Sequence, residues 1–363
     1  MQRQPSQDTD DDDDLMSLRS VSSRHTVASS ATSYDVSMRS ASPAPSAYSM
    51  TSSLRAQSYR HEFGRGLNNY SEVYRLPADD EELDRLDKQH ILFMEVMGKY
   101  PPPLTQIMAD DTPGETKSCL DLGCGSGSWV LDVARDFPRC QAVAVDLVPM
   151  QALNMPENLR SEVDDINLGL QHFYGDFNVV HARLISSGIK DFHDLIDHIS
   201  QTLRPGGLID LMEFDFRVYD ANHKPILVQP GVTQGPWLAR WMSSLNFAVR
   251  QRGGSTDAAN MLYPWVLDHP AFEDVVYREF FLPTAPFYSH RDSDYRRNQA
   301  IGEVMREDIL AFLKSGRPLL LGSGLAPAVV DELQRRAQRE LDEARTVDYI
   351  RVEYVYARRK HNF

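Results

Sequence analysis

The sequence predicts a doubly wound α/β fold, and three observations carry that prediction. A short apolar run, Cys119-Leu120-Asp121-Leu122, leads into a glycine turn and then into a helical pattern through Val130, Leu131, Val133 and Ala134. A second apolar run, Ala142-Val143-Ala144-Val145, follows and ends in Asp146. Strand and helix patterns keep alternating as far as Phe214, and two later strand patterns are separated by helices, which is the order of a layered α/β sheet.

Taken in order, residues 1–55 are expected to be a disordered Ser/Asp-rich tail. An acidic run from Asp10 to Asp14 precedes a Ser-, Ala- and Thr-rich stretch with few large apolar groups, which buries too little surface to offset chain entropy. Arginines beside serines, as at Arg19-Ser20 and Ser22-Ser23-Arg24, leave two readings open: a solubilising tail or a phosphorylated regulatory arm. Residues 56–105 form an N-terminal helical cover. Asp79 to Met97 reads as a helix with acids in its first turn, Gly98 at its end, and Leu83, Leu86, Phe93 and Met97 on one face. Pro101-Pro102-Pro103 stops it. Standing before the first core strand, this helix suits a lid over a ligand, or else a plain packing helix.

Residues 106–220 hold the α/β core. Gly123, Gly125 and Gly127 at alternate positions let the backbone approach a ligand where a Cβ would clash. The helix that follows aims its free N–H groups at the same point. Asp146 stands at the end of the second strand, about 20 residues on, where nucleotide-binding α/β folds hold a pair of ribose hydroxyls. Leu159 to Val163 reads as a third strand ending at Asp164-Asp165-Ile166, and Phe177 to Arg183 as a fourth. A helix through Phe192, Leu195, Ile196 and Ile199 leads to a turn, Leu203-Arg204-Pro205-Gly206-Gly207, and a fifth strand, Leu208 to Phe214. Residues 221–345 are a helical cover with a sixth strand. Trp237 to Val249 is an amphipathic helix, Val275 to Phe281 a strand, Glu303 to Lys314 a helix, and Pro327 opens another running to about Arg345. Pro230-Gly231 and Gly235-Pro236 bracket a loop before them. Residues 346–363 hold a last strand in the alternation from Tyr349 to Arg358.

Composition excludes several classes. The net charge of −14 and pI of about 5.2 argue against general nucleic-acid binding, which wants a basic face. Cys119, Cys124 and Cys140 have neither metal-ligand spacing nor the makings of a disulfide framework. No apolar run approaches the ~20 residues of a membrane span, and the N-terminus lacks the apolar core of a secretory signal. The expected residence is the cytoplasm and/or nucleus.

The glycine spacing then separates two nucleotide sites. A dinucleotide fingerprint wants Gly-x-Gly-x-x-Gly, and position 128 is Ser. What stands is Asp121-x-Gly123-x-Gly125-x-Gly127, which resembles motif I of the class I S-adenosyl-L-methionine (SAM) methyltransferases. The chemistry agrees, since SAM lacks a pyrophosphate but carries a free ammonium that Asp121 can receive directly or through water. The resemblance implies a Rossmann-like seven-stranded sheet with an antiparallel last strand. It implies SAM as cofactor, held by Asp121, Gly123, Gly125, Gly127 and Asp146. It also implies that Asp165, or Asp164 one step away, accepts from the adenine amino group while Ile166 meets the ring. A solvated acidic turn is the alternative there.

The chain also resembles a narrower family, the fungal LaeA-like methyltransferases. The Gly64-Arg65 block, Glu82-Leu83-Asp84-Arg85-Leu86-Asp87 with Gln89-His90, the turn, Val163-Asp164-Asp165 and Leu203 to Gly207 carry the likeness, over roughly residues 59 to 358. It adds Arg65 to the cofactor-binding set. Its implications divide between regulators of secondary metabolism that associate with velvet-type partners and tailoring enzymes that methylate a small metabolite. It supplies no agreed catalytic residue.

Methyl transfer from a sulfonium needs alignment and a dry pocket, and a base only when the nucleophile carries a proton. The Asn/Asp-Pro-Pro-Tyr signature of amino-methylating enzymes is absent after the fourth strand, where His181-Ala182-Arg183 stands. No zinc or calcium ligand set is evident, so no metal is expected. His181 and Glu213 end the fourth and fifth strands and are the catalytic candidates. His181 is a base or a structural residue, and Glu213 a holder of the methionine ammonium or of substrate. Trp237, Trp241 and Trp265 line an aromatic pocket near the sulfonium or pack the core. The expected activity is SAM-dependent methyl transfer to a small-molecule or protein acceptor, in or regulating secondary metabolism. The alternative is a regulatory scaffold that keeps the fold and acts through partner proteins.

Overall fold

The computed structural model describes residues 51–151, 154–228, 235–287 and 295–363, all within the compact unit Ala47–Phe363. Nearly all of the expected tail, and Pro230-Gly231, lie outside the described residues. A short helix, α1 (Ser52–Ser58), begins inside the stretch assigned to the tail. A hairpin follows, β1 (Tyr59–Glu62) and β2 (Arg65–Asn68), closed by Phe63 and Gly64 at positive φ. Next comes α2 (Asp80–Met97). Its N-cap is Asp79, whose carboxylate accepts from the Glu82 N–H at 3.2 Å, and Gly98 ends it by donating to the Met94 carbonyl. The prolines that stop α2 open α3 (Pro102–Ile107), where a missing N–H is no loss.

The core runs β3 (Ser118–Leu122), α4 (Ser128–Asp136), β4 (Gln141–Asp146), β5 (Leu159–Val163), β6 (Phe177–Arg183), α5 (Phe192–Thr202) and β7 (Leu203–Phe214). Then come α6 (Trp237–Gln251), α7 (Ala258–Asp268), β8 (Phe272–Pro283), α8 (Tyr295–Gly322), α9 (Pro327–Glu343) and β9 (Tyr349–Arg359). One seven-stranded sheet has the order β5-β4-β3-β6-β7-β9-β8. Its first five strands are parallel, while β9 runs antiparallel to both β7 and β8. The doubly wound sheet with an antiparallel last strand is as expected.

Strands β3, β4 and β6 are almost wholly buried, and both faces are covered, so they read as near-continuous apolar runs. On one face Val179 and Leu208 pack with Val130 and Val133 of α4, Phe93 of α2 and Trp241 of α6. On the other, Val180 and Ile209 pack with Ile196 and Ile199 of α5 and Leu262 of α7. From β3 the chain winds outward through β4 and β5, then returns to set β6 on the other side of β3. The strand order reverses between β3 and β6, and a crevice opens beyond their carboxyl ends.

Several elements differ from expectation. Pro205-Gly206-Gly207 is no separate turn. Already β7 pairs with β6 at Leu203, and the segment bulges before pairing resumes at Leu208, with Gly206 at φ 76°. Helix α8 extends well past Glu303 and Lys314, because Ile301, Met305, Ile309, Phe312 and Leu320 keep a buried helical stripe along it. The hairpin and α7 are additions to the expected elements.

Candidate active site

The cavity is built outward from the glycine turn. Gly123 and Cys124 donate their amides to the Val145 carbonyl at 2.8 and 3.0 Å, folding the turn over the end of β4. Gly125, at φ 57°, donates its N–H to Asp146 Oδ2 at 2.8 Å. A Cβ at Gly125 would stand 2.9 Å from Leu86 Cδ1, so α2 and the turn meet with no room for a side chain. Gly127 is the N-cap of α4 and shapes the turn from behind. Asp121, Gly123, Gly125 and Asp146 line the cavity. Burial pushes the Asp146 carboxyl up to about 6, against the Gly125 and Val148 amides that favour its charge.

Past β4, Asp164, Asp165 and Ile166 also line the cavity. Asp165 caps a short 3-10 helix, Ile166–Leu168. Its Oδ1 accepts from the Asn167 backbone N–H at 3.1 Å and from Asn167 Nδ2 at 2.7 Å. Its Oδ2 takes no hydrogen bond from the described residues. The Asn167 side chain also donates to the Gly188 carbonyl at 2.9 Å and accepts from the Lys190 amide at 2.8 Å, which fixes this wall against the loop after β6.

The middle of the cavity belongs to β6. His181 is buried, stacked on the Trp129 indole at 4.0 Å between ring centres, and its Nδ1 lies 2.8 Å from Asp210 Oδ2 on β7. A carboxylate only accepts, so Nδ1 carries the hydrogen and Nε2 is left basic. Nε2 has no partner among the described residues, and His181 lines the cavity. Arg183, two residues on, lines it as well.

Beyond β6 the lining turns apolar, with Phe214 at the end of β7 and Phe216 just past it, Leu282 of β8, Val352 of β9, Met242 of α6 and Phe312 of α8. Helices α2 and α8 close the top through a buried ionic group. Arg85 donates to Glu82 Oε1 at 2.6 and 3.0 Å and to Asp308 Oδ1 at 2.8 Å. Gln89 adds a bond to Asp308 at 3.2 Å, and the Ser315 hydroxyl donates to Glu82. Arg85, Gln89 and Asp308 line the cavity, so α2 and α8 form part of its wall.

Several expectations need correction. Glu213 is fully buried and lies behind the wall. Its carboxylate accepts from the Ile185 and Ser186 amides at 2.7 and 2.9 Å and from the Ser186 hydroxyl at 2.7 Å, so it holds the loop after β6 and touches no ligand space. Arg65 lies outside the cavity because the N-cap Asp79 claims it, through paired bonds of 2.8 and 2.7 Å. Of the two readings left open for the tryptophans, Trp241 takes the core one, packed edge-on against Phe312. Trp237 stacks under Arg336, and Trp265 meets His193. The tryptophan that lines the cavity is Trp129, in the first turn of α4. Arg183, Arg85 and Asp308 were not singled out, since a strand-end arginine and helix charges read as solvated surface until the fold brings them together.

The arrangement fits a nucleoside carrying an amino-acid tail: a Cβ-free turn, an acid hooked to the turn amide, a second acid with a free oxygen, and a largely apolar chamber beside them. Residues 94–252 match the family described as a methyltransferase domain. The chain is 48% identical over 306 residues to the secondary metabolism regulator laeA of Coprinopsis cinerea, covering 83% of this chain and 74% of that one. It is 31% identical over 241 residues to the methyltransferase pytC of Aspergillus terreus, covering 65% of this chain and 68% of that one. Among solved structures it is similar to phosphoethanolamine N-methyltransferase 2 of Haemonchus contortus in complex with S-adenosylhomocysteine. The TM-score is 0.40 at 17% identity, and the match spans 78% of this chain and 60% of that one.

Proposed function

The chain belongs to the LaeA-like family of methyltransferase-domain proteins, and from that premise we propose that it transfers the methyl group of SAM to a small, largely apolar acceptor held beneath α2 and α8. The observation that carries this reading is the turn Gly123 to Gly127, hooked to Asp146 at the point where the strand order reverses. When bound, SAM supplies an electrophilic methyl on a sulfonium. Asp146 receives the ribose hydroxyls, since a carboxylate has lone pairs beyond those given to Gly125 and Val148. Asp165, through Oδ2, and Ile166 frame the adenine, with Asp164 the alternative by one step. His181 Nε2 takes a proton from the acceptor where the nucleophile carries one. The apolar half of the cavity keeps water away.

Calorimetry with SAM and S-adenosylhomocysteine, beside Asp146→Ala, tests the reading. Binding is expected in the wild type and lost in a variant that keeps its circular dichroism spectrum. A folded wild-type protein that binds neither compound sinks it.

The name of the Coprinopsis relative favours a second reading, a regulator of secondary metabolism acting through partners, among them a velvet-type protein, in the cytoplasm and/or nucleus. Capture of such a protein by the full chain, unchanged in Asp146→Ala, supports it. Absence of capture removes it.

A further inference from the structure

Leu86, His90, Phe93 and Met97 recur at helical spacing on α2, and only His90 among them is polar. It is 4% exposed, and it ties α2 to two other elements. Its Nδ1 lies 3.2 and 3.3 Å from the two terminal nitrogens of Arg183 on β6. Its Nε2 lies 3.1 Å from Asp132 Oδ2 on α4. A guanidinium only donates and a carboxylate only accepts. Both contacts therefore demand the same ring, neutral, with its hydrogen on Nε2 and a lone pair on Nδ1. Arg183 meets α2 a second time through Phe93, at 5.5 Å from the ring centre.

A proton added to this ring has one place to go, Nδ1, and there it points at the guanidinium. The hydrogen bond to Arg183 becomes a contact between two cations, in a place where little water screens them. The charged and titratable groups that face His90 are Arg183 and His181 from β6 and Asp132 from α4. Lys99, just past the end of α2, lies 3.6 Å from the same Asp132 oxygen. Burial first, and Arg183 next, outweigh Asp132 and hold His90 below its ordinary 6.5. When α2 lifts, the ring leaves Arg183, meets water and regains its ordinary affinity for a proton. The lifted form then binds the proton more tightly than the seated one, so lifting is favoured as pH falls below about 6.5 and levels off below the seated value. The apolar face of α2 and the Arg85 bond to Asp308 still hold the helix, so the seated form stays in the majority.

We propose that His90 is a pH-sensitive latch on the α2 wall of the cavity: neutral, it pins α2 to β6 and α4, and protonated, it lets α2 lift. The latch works whichever ligand the cavity takes. Hydrogen exchange on the full chain, followed from about pH 5 to about pH 8 as protection factors, reads such a minor open form. Protection of the α2 amides is expected to be constant above about pH 7 and to fall below about 6.5, by at most about tenfold per unit, while amides of β4 in the middle of the sheet keep theirs. Ligand affinity is left nearly unchanged, because the competent form remains the major one. His90→Gln offers an acceptor and a donor that do not titrate, and is expected to abolish the fall. A flat wild-type profile, an unchanged fall in His90→Gln, or an equal loss of protection in β4 overturns the latch. Should His90→Gln fail to fold, nitrogen NMR of the His90 ring in wild type decides. A neutral ring with its hydrogen on Nε2 at neutral pH, gaining its proton as α2 loses protection, is expected. A ring already charged at neutral pH, or one that does not titrate as α2 opens, overturns the latch.

Discussion

Asp146 does two things with opposed electrostatics. Burial holds its carboxyl up at about 6, while its ionised form is the stronger acceptor for ribose hydroxyls. Binding of S-adenosylhomocysteine is therefore expected to be flat above neutral pH and to weaken as pH falls through about 6, by at most about tenfold per unit. A calorimetric pH series checks this, with Asp146→Asn expected to show no such slope. Glu213 gives stability its own pH dependence. Burial pushes it up to about 7 from an ordinary 4.5, outweighing the Ser186 hydroxyl and two amides. The native state then binds that proton more tightly than the unfolded chain does. Its contribution is full below about 4.5 and lost as pH rises through about 7. Denaturant midpoints should fall over that window in wild type and fall less in Glu213→Gln. At this scale the residues expected at the site that do line the cavity are those placed by local geometry, Gly123, Gly125, Asp146 and the Asp164-Asp165 pair, while Gly127 caps α4 behind it. Glu213 and Arg65 misled because their partners, the Ile185-Ser186 loop and Asp79, are chosen by packing and not by strand position.

Among elements, α2 was legible from its acids, its apolar face and Gly98, and the core strands from their unbroken apolar runs. The β1–β2 hairpin was not, because Phe63 occupies its turn at φ 52°, where Asn or Asp is the usual signal. Nor could spacing show what holds α2 down. Arg85 and Asp308 are 223 positions apart, and only the fold joins them. That junction carries a prediction. Arg85→Met leaves the buried Glu82 and Asp308 carboxylates facing one another without a cation, and breaking a buried pair in this way costs about 3–5 kcal/mol. Asp308→Asn keeps an acceptor for Arg85 and is expected to lose about 1 kcal/mol. Urea unfolding gives both values, and hydrogen exchange should show α2 amides opening first in Arg85→Met. An Arg85→Met protein as stable as wild type would mean that the apolar face of α2 alone docks the cover.

On the scale of the whole molecule, the two functional readings part at the N-terminal stretch. Among the described residues, those that line the cavity lie between Tyr74 and Val352, and the sheet is completed by β9, which ends at Arg359. The described hydrogen bonds that shape the turn, the Asp146 hook and the α2–α8 junction all fall within those bounds. A chain starting at Thr51 is therefore expected to bind S-adenosylhomocysteine with the affinity of the full chain, measured side by side by calorimetry. A loss on truncation would mean that residues 1–50 contribute to cofactor binding. With cofactor binding as the control for folding, partner capture becomes interpretable. A truncated chain that binds cofactor but no longer captures a velvet-type protein makes the Ser- and Arg-bearing stretch the docking arm. One that does both places the docking surface on the methyltransferase fold, where Asp146→Ala then asks whether docking needs an occupied site. The catalytic and regulatory readings are thus separable by which part of the chain each requires, and neither excludes the other.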